Sequence, residues 1–278
     1  MVESRQKVRR HHRADIAGHR RRDIAVHRRS NIAELDAAPG ICYKRRDKRR
    51  APASYHNMLT VARLHSAPEI FCSLQGEGPR AGCPAVFLRL AGCNLRCAWC
   101  DTKHALGGGI AVGEAELAER LLRYRCPGLV ITGGEPLMQQ AGLVELLKLL
   151  PADLTIEVET NGTISPCPEL AERIDQWNVS PKLAHSGNSA ADSLVAPALA
   201  ALNATGKAWF KFVVRGEEDW PAIERMQLPQ ERLILMPCAA DRAALDAAAP
   251  AVADLCIRQR VRYGHRLQVA LWSDTKGV

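Results

Sequence analysis

One stretch decides how this chain is interpreted: Ala91-Gly92-Cys93-Asn94-Leu95-Arg96-Cys97-Ala98-Trp99-Cys100-Asp101-Thr102. Its three cysteines have the spacing C-x₃-C-x₂-C and directly follow an apolar, strand-like run, residues 85–90. Thiolates this close together on a short loop suit an iron–sulfur cluster, and three of them leave one coordination position open. A chance cluster and a remote fourth cysteine ligand stay open as alternatives. A zinc knuckle is disfavoured because no second C-x₂-C or H-x₃-H pair occurs elsewhere.

The basic charge of the chain is concentrated at its start. The 278 residues carry a net charge of +8, but residues 1–57 hold 16 lysines and arginines against 6 acidic residues, and the remainder holds 22 against 24. The body of the chain is therefore nearly neutral, and its hydrophobic content of 47% is typical of a globular protein. This distribution argues against a nucleic-acid-binding body.

Cysteine usage and hydropathy bear on the compartment. Ten cysteines spread unevenly over 278 residues do not indicate a secreted disulfide framework. The Arg-rich start lacks the apolar core of a signal peptide, and no apolar run approaches the ~20 residues of a membrane span. We therefore expect no membrane association and a reducing cytoplasm, which suits an oxygen-sensitive cluster.

The first 57 residues differ from the rest. Residues 14–21 are echoed by residues 22–29 with a period of eight, and a third copy begins at Ser30. So few large apolar residues cannot bury a core, and we expect a disordered, low-complexity tail. It is either a nucleic-acid-binding arm or, as we favour, a start site placed too early, with Met58 as the first residue of the catalytic domain, residues 58–278.

From Pro68 onward, strand-like and helix-like segments alternate. We expect strands at residues 69–74, 85–90, 128–132, 154–159, 177–180, 209–214, 233–236 and 267–272. We expect helices at residues 113–124, 139–150, 190–202, 217–226 and 241–258. Such alternation predicts an α/β fold with one mainly parallel sheet, and polar residues after the strands place the site at the carboxyl edge.

Several polar residues have both a structural and a functional interpretation. In Leu74-Gln75-Gly76-Glu77-Gly78, the Gln75 and Glu77 side chains can hydrogen-bond a polar heterocycle, or the segment is an ordinary turn. Arg89 stands inside an apolar run, so it meets either a substrate anion or a structural carboxylate. The Thr102 hydroxyl is either a Mg²⁺ ligand or a helix cap.

Three further segments follow predicted strands. They are Ile131-Thr132-Gly133-Gly134-Glu135-Pro136, Glu157-Val158-Glu159-Thr160-Asn161-Gly162 and Val179-Ser180-Pro181-Lys182. Together with the cysteine spacing and an aromatic residue, Trp99, before the last cysteine, they resemble the radical S-adenosylmethionine (SAM) enzymes. The resemblance implies a [4Fe–4S] cluster on Cys93, Cys97 and Cys100. It also implies that SAM chelates the open iron and is cleaved reductively to a 5′-deoxyadenosyl radical.

A narrower resemblance covers residues 68–278. The L-Q-G-E-G loop, the arginine in the next strand, C-x₃-C-x₂-C-D-T, T-G-G-E-P, E-T-N-G-T, S-P-K and the terminal L-x-x-x-L-W-x-x-x-K-G-V are similar to those of the 7-carboxy-7-deazaguanine synthase family. The resemblance implies a shortened (β/α) barrel, usually a homodimer. It further implies conversion of 6-carboxy-5,6,7,8-tetrahydropterin to 7-carboxy-7-deazaguanine by radical ring contraction with loss of ammonia, toward queuosine and other deazapurines, with SAM re-formed.

The same resemblance implies roles for individual residues. SAM would be bound by Trp99, Asp101, Gly134, Glu159, Ser180, Pro181, Lys182, Met236, Pro237, Cys238 and Ala239. The pterin would be surrounded by Leu74, Gln75, Gly76, Glu77, Arg89, Thr132 and the carboxylate of Val278. Thr102 would supply an oxygen to Mg²⁺, and an external donor would supply the electron.

The chain departs from the family pattern at one position. Relatives place a histidine in the last predicted strand, where this chain has Gln268, which hydrogen-bonds but cannot take up a proton. His265 is three residues away and would face differently along a strand. Two rival functions remain: another small radical SAM enzyme, such as a glycyl-radical activase, and a non-catalytic nucleic-acid-binding protein with a zinc knuckle.

Overall fold

The computed structural model describes residues 58–273 and 275–278. The prediction of a disordered tail over residues 1–57 lies outside the described residues. Eleven strands are present among the described residues: β1 (Met58–Leu64), β2 (Ala67–Pro68), β3 (Ile70–Leu74), β4 (Pro84–Leu90), β5 (Gly109–Gly113), β6 (Gly128–Gly133), β7 (Thr155–Thr160), β8 (Gln176–Val179), β9 (Ala208–Val214), β10 (Leu233–Pro237) and β11 (Arg262–Tyr263).

In the same described residues, eight α-helices connect or follow these strands. They are α1 (Glu114–Leu122), α2 (Gln140–Leu147), α3 (Pro168–Arg173), α4 (Ala190–Ser193), α5 (Ala196–Ala204), α6 (Trp220–Glu224), α7 (Arg242–Gln259) and α8 (Leu267–Trp272). Short 3₁₀ segments lie at Lys103–Ala105, Pro136–Gln139, Ala184–Ser186, Glu217–Asp219 and Gln230–Arg232. In the described part of the chain, no helix is long and apolar enough to cross a bilayer.

The strands form one mixed sheet in the order β11-β10-β9-β8-β7-β6-β4-β1-β2, with β3 also pairing β4 and β5 pairing β1. All pairings from β4 to β11 along this path are parallel, and those of β1 and β3 are antiparallel. This arrangement confirms the predicted α/β class with a mainly parallel sheet. It also adds the antiparallel strands β1, β2 and β5, which the sequence analysis did not predict.

The two faces of the parallel strands differ in polarity because side chains alternate along a strand. One face packs its apolar residues, such as Leu88, Ile131 and Phe210, against the helices in the main core. The other face carries Arg89, Thr132, Glu157, Glu159, Asn178 and Lys211, contributed by the five neighbouring strands β4, β6, β7, β8 and β9. The register pairs Arg89 with Thr132 and Glu159 with Asn178, so these polar groups form one continuous row.

The last predicted strand is wrong. Residues 267–272, L-Q-V-A-L-W, form helix α8, although five of these six residues are apolar and the run is as short as a strand. The sheet ends at β11, and after it the chain turns back, so that the Leu267 backbone N–H donates to the Gly76 carbonyl over 2.9 Å. The segment is held by this contact, by the bond from Gln268 to Glu77 and by the packing of Val269 against Leu245, and not by a neighbouring strand. The helix predicted over residues 190–202 is also divided, into α4 and α5.

Candidate active site

The cluster loop, residues 91–102, leaves the end of β4 at the carboxyl edge of the sheet. Gly92 has a left-handed φ of +94°, and its carbonyl accepts from the Glu135 backbone N–H over 2.8 Å. Further along the loop, the Ala98 backbone N–H donates to the Ser186 carbonyl over 2.9 Å. The loop is therefore tied on one side to the T-G-G-E-P segment after β6 and on the other to the turn after β8.

The three cysteines of the loop are free, half-buried and line one cleft of about 280 Å³. Two of their sulfurs receive hydrogen bonds: the Leu95 N–H donates to Cys93 Sγ over 3.4 Å, and Asn188 Nδ2 donates to Cys97 Sγ over 3.2 Å. Burial raises the pKa of the Cys93 and Cys100 thiols. A bound metal cluster would instead favour the thiolate form of these cysteines, because a coordinated thiol is deprotonated.

The donor set fits a [4Fe–4S] cluster. Within residues 58–273 and 275–278, no three His, Cys, Asp or Glu side chains converge on a single ion. A cluster does not require such convergence, because each cysteine holds a different iron. A glycine also lines the space beside the sulfurs: a Cβ at Gly134 would lie 2.1 Å from the Gly92 carbonyl oxygen and 2.8 Å from Cys93 Cβ. Only a residue without a side chain allows this close packing.

Seven of the eleven residues predicted to bind SAM line the cleft: Trp99, Asp101, Gly134, Glu159, Ser180, Lys182 and Met236. Lys182 Nζ donates to Ser180 Oγ over 2.8 Å and lies 5.4 Å from the centroid of the Trp99 ring. The other four, Pro181, Pro237, Cys238 and Ala239, do not line the cleft. After β10 it is Ala240 that reaches the cleft, and the Ala239 carbonyl is bonded to Arg266.

All seven residues predicted to surround the pterin line the same cleft: Leu74, Gln75, Gly76, Glu77, Arg89, Thr132 and Val278. The amide of Gln75 is nevertheless used inside the protein. Its Nε2 donates to Glu157 Oε2 over 3.2 Å, and its Oε1 accepts from the Glu77 backbone N–H over 3.2 Å. Gln75 therefore shapes the loop between β3 and β4, residues 75–83, and holds the backbone N–H of Glu77 in place.

Glu77 is held by two cations and one amide. Lys211 Nζ lies 3.0 Å from Glu77 Oε2, and Arg266 Nε lies 3.3 Å from Glu77 Oε1. Gln268 Nε2 donates to the same Oε1 over 2.8 Å. Burial opposes ionisation of Glu77, but Lys211 and Arg266 outweigh it and hold the pKa of the carboxyl well below its usual range. Glu77 is thus a fixed carboxylate.

Lys211 links Glu77 to a second carboxylate on the polar face of the sheet. Its Nζ lies 3.4 Å from Glu159 Oε1, and the Thr132 hydroxyl donates to Glu159 Oε2 over 3.1 Å. The lysine is almost fully buried, and although burial alone lowers the pKa of a lysine, Glu159 and Glu77 raise the pKa of Lys211 above its usual value. The ammonium is therefore the permanent countercharge of two cleft carboxylates.

Arg89 has a structural carboxylate partner and free donors. Its Nε donates over 2.7 Å to Oε1 of the buried Glu69, whose Oε2 lies 2.7 Å from His104 Nε2. The two terminal nitrogens of Arg89 have no hydrogen-bond partner among the described residues, and the side chain lines the cleft. Glu69 thus orients the guanidinium through Nε, and its terminal nitrogens stay available to a carboxylate bound in the cleft.

The candidate Mg²⁺ ligand lies beside the last cysteine. The Thr102 hydroxyl donates to Asp101 Oδ1 over 3.0 Å, and Asp101 Oδ2 accepts from Arg266 Nη2 over 2.9 Å. Thr102 precedes a 3₁₀ segment, but its side chain makes no capping hydrogen bond there. Thr102 therefore occupies the cap position of this segment, but its hydroxyl does not cap it, and the oxygens of Asp101 and Thr102 lie side by side at the cleft.

The chain end also reaches the cleft. Val278 lines it and is about one-third exposed, and a Cβ at Gly277 would lie 2.6 Å from Leu64 Cδ2 of β1. Gln268, which the family resemblance sets at the position of a histidine, lines the cleft as well, but its Oε1 is buried without a hydrogen-bond partner in the described structure. His265 is exposed and makes an edge contact with Tyr263, so it does not substitute for that histidine in the cleft.

The sequence analysis missed several residues of the site. Lys211 interrupts the apolar strand β9 just as Arg89 interrupts β4, so the same criterion would have found it. Arg266, Asn188 and the pair Glu69 and His104 have no such pattern. Their roles depend on contacts between distant segments.

Comparison with known proteins gives concordant results. The family model described as the Radical SAM superfamily matches residues 88–215. A 7-carboxy-7-deazaguanine synthase from Pyrobaculum aerophilum is 40% identical over 217 residues, covering 75% of this chain and 95% of the relative. One from Hyperthermus butylicus is 36% identical over 241 residues, covering 81% and 97%.

Among solved structures, the crystal structure of QueE from Escherichia coli aligns with a TM-score of 0.57 at 26% identity. The alignment covers 75% of this chain and 94% of that one. The polar cleft, the cysteine loop and these similarities therefore agree on one family.

Proposed function

Since the chain belongs to the 7-carboxy-7-deazaguanine synthase family, a family of radical SAM enzymes, we propose that it acts on 6-carboxy-5,6,7,8-tetrahydropterin. The product is 7-carboxy-7-deazaguanine, formed by radical ring contraction with loss of ammonia as a step of queuosine and related deazapurine biosynthesis. One observation carries this proposal: five polar residues of the sheet line the same cleft as the three cysteines, namely Arg89, Thr132, Glu159, Asn178 and Lys211. A cluster and a polar heterocycle can therefore be bound side by side.

Membership of the radical SAM family implies a [4Fe–4S] cluster and SAM. Cys93, Cys97 and Cys100 would hold the cluster, and Gly134, Ser180 and Lys182 would contact SAM. When bound, this pair supplies a carbon-centred radical that starts the reaction by hydrogen abstraction. The Lys182 ammonium, held by Ser180 and the Trp99 ring, provides a positive charge for a carboxylate or ribose oxygen of SAM.

The pterin would be oriented by charges of opposite sign at its two ends. The free edge of Arg89 matches the planar carboxylate of the substrate, since a guanidinium pairs a carboxylate through two parallel hydrogen bonds. The pyrimidine end is rich in N–H donors, and the carboxyl oxygens of Glu77, Glu159 and Val278 are acceptors. Orientation is the main contribution of the protein, because a radical reacts with the carbon placed nearest to it.

Further features belong to the proposal. Mg²⁺ would be held by the Thr102 hydroxyl, with Asp101 beside it and substrate oxygens and waters completing the shell. A homodimer, an external electron donor and a cytoplasmic location are proposed from the family resemblance. Residues 58–278 are proposed as the catalytic domain, with residues 1–57 as a dispensable tail.

The proposed function is tested by anaerobic reconstitution. The purified chain is supplied with iron and sulfide, and then with carboxytetrahydropterin, SAM and a reductant. We expect carboxydeazaguanine, with more turnovers than SAM consumed. Formation of 5′-deoxyadenosine without the deazaguanine would overturn the substrate assignment in favour of another small radical SAM enzyme. Zinc without sulfide would overturn the radical SAM mechanism itself.

A further inference from the structure

One arginine joins three loops of the cleft that are far apart in the chain. Arg266 Nε donates to Glu77 Oε1 over 3.3 Å, in the loop between β3 and β4. Its Nη2 donates to Asp101 Oδ2 over 2.9 Å, in the cluster loop. Its Nη1 donates to the carbonyl of Ala239, after β10. A single planar group thus contacts the proposed pterin side of the cleft, the cluster loop and the segment after β10, whose next residue, Ala240, lines the cleft.

Only arginine can make this set of contacts. The guanidinium carries five N–H donors in a rigid plane, and here three of its nitrogens address three separate acceptors. Lysine would keep the positive charge, but its single nitrogen cannot reach acceptors on three sides. The residue is also well buried, which makes an unsatisfied donor costly and favours one fixed orientation.

The two carboxylates that Arg266 binds differ in how many partners hold them and in how exposed they are. Glu77 is held additionally by Lys211 and Gln268, and its side chain is 17% exposed. Asp101 has a side chain 61% exposed, and its other hydrogen-bond partner is the Thr102 hydroxyl. The Arg266 side chain is therefore held in place at Glu77, and its hydrogen bond to Asp101 determines the position of the exposed end of the cluster loop.

We infer that Arg266 is a positioning residue for the proposed reaction, holding Asp101 and Thr102 in a defined position relative to Glu77. The inference rests on the proposed function and adds a residue to which the family resemblance assigned no role. A pterin that contacts Glu77 is thereby placed at a set distance from the segment next to Cys100. Loss of the arginine weakens pterin binding, and it also lets the radical form while the substrate is misplaced.

The test compares four variants of the full chain with the unaltered chain: Arg266→Lys, Arg266→Gln, Asp101→Asn and the double variant Arg266→Lys with Asp101→Asn. Arg258→Gln is the matched control, because Arg258 is an exposed arginine paired with Glu217 at 2.9 Å, outside the cleft. Each protein is reconstituted anaerobically. Iron content and the melting temperature are measured first, so that variants that fold and bind iron are identified.

Two readouts separate positioning from general stability. The first is the dissociation constant of the pterin measured with SAM and without reductant, which does not depend on turnover. The second is the ratio of 5′-deoxyadenosine to deazaguanine after reduction. For Arg266→Lys we expect about a tenfold weaker pterin affinity, the size of one lost charged hydrogen bond, and a several-fold higher ratio. The Arg258→Gln control should match the unaltered chain in both.

The double variant tests the connection itself. Asp101→Asn should weaken pterin binding although Asp101 lies on the far side of Arg266 from Glu77, and combining it with Arg266→Lys should add little. Additive effects, or unchanged affinity and ratio in an Arg266→Lys protein with normal iron content, would overturn the inference. If the Arg266 variants do not fold, unchanged pterin affinity in Asp101→Asn overturns it alone.

The two proposals fail in different ways. An unaltered chain that neither binds the pterin nor forms deazaguanine overturns the proposed function, and the inference falls with it. An unaltered chain that makes the product, together with variants that behave like it, overturns only the role of Arg266.

Discussion

The two sides of the cleft are built on different principles. The cluster side takes its three cysteines from eight consecutive residues, 93–100, on one loop. The opposite side joins Glu77, Lys211 and Arg266, whose hydrogen bonds connect residues up to 189 positions apart. The first arrangement depends only on the spacing of the cysteines in one loop and can be read from the local sequence. The second exists only when the whole sheet and its last helix are in place.

The two sides also differ in what a single substitution removes. On the cluster side a cysteine is a ligand, and its loss affects the bound group more than the fold. On the opposite side, which we call the charged side, Glu77, Lys211 and Arg266 neutralise one another. The loss of one of them leaves a buried charge with one partner fewer. This contrast leads to predictions of different size and kind.

The largest effect is expected for Cys97→Ala. Removing one of three thiolates should abolish cluster-dependent absorbance in the visible range and all product formation, with little change in melting temperature. Cys72→Ala is the matched control, because Cys72 is exposed on β3 and does not line the cleft. A retained absorbance band in Cys97→Ala would refute the ligand assignment.

The next effect tests the charged side. Lys211→Met should destabilise the fold by about 3–5 kcal/mol, because Glu159 then loses its ion-pair partner in the described structure and Glu77 keeps Arg266 alone. Urea denaturation measures it. Lys148→Met is the control: its pair with Glu145 is exposed and contributes below about 1 kcal/mol. Equal losses in both variants would contradict the proposed balance of charges.

A pH series sharpens the same point. The folded-state pKa of Glu77 lies below its ordinary value of 4.5, so its ionised form contributes stability above that pH, and this contribution declines as the pH falls toward the lowered pKa. The stability deficit of Glu77→Gln should therefore be large at about pH 7 and smaller at about pH 3. Glu119→Gln, at an exposed pair with Arg123, should show no such dependence. A constant deficit would count against an ionised Glu77.

A smaller effect is expected at the chain end. Two residues added after Val278 should raise KM for the pterin about tenfold, since the terminal carboxylate is moved away from the cleft. The same two residues added at the start of the chain provide the control. Steady-state kinetics with an unchanged KM would show that the terminal carboxylate does not bind substrate.

No effect is expected from deleting residues 1–57. The proposed site is built within residues 58–278, so kcat/KM and melting temperature should equal those of the full chain. A loss of activity would show that the tail contributes to the enzyme.

Sequence patterns predicted the parallel strands better than the antiparallel strands β1, β2 and β5 and the last helix, α8. The parallel strands from β4 to β10 were all found within two residues, because buried apolar runs bounded by glycine or proline are local features. The strand predicted at residues 267–272 was wrong, because a short apolar segment that contains leucine and alanine also suits a helix. Its contact with Gly76 is a tertiary one.

The site shows the same division. All seven residues predicted around the pterin line the cleft, yet the Gln75 amide is used to hold the loop, which only its burial beside Glu157 reveals. The sequence left two partners open for Arg89, a substrate anion or a structural carboxylate. The structure provides Glu69 as the carboxylate and leaves the terminal nitrogens of the guanidinium free among the described residues. Lys211 was detectable as a charge in an apolar strand, whereas Arg266 was not.

The sequence by itself determined the cluster loop, the glycine-rich strand ends and the alternation of strands and helices, because each depends on neighbours within a few residues. Only the tertiary structure decided which cations neutralise Glu77, which group orients Arg89 and how the last helix meets the loop after β3. An ion pair requires two side chains to meet within about 4 Å, and for residues more than a hundred positions apart that depends on how the sheet is assembled.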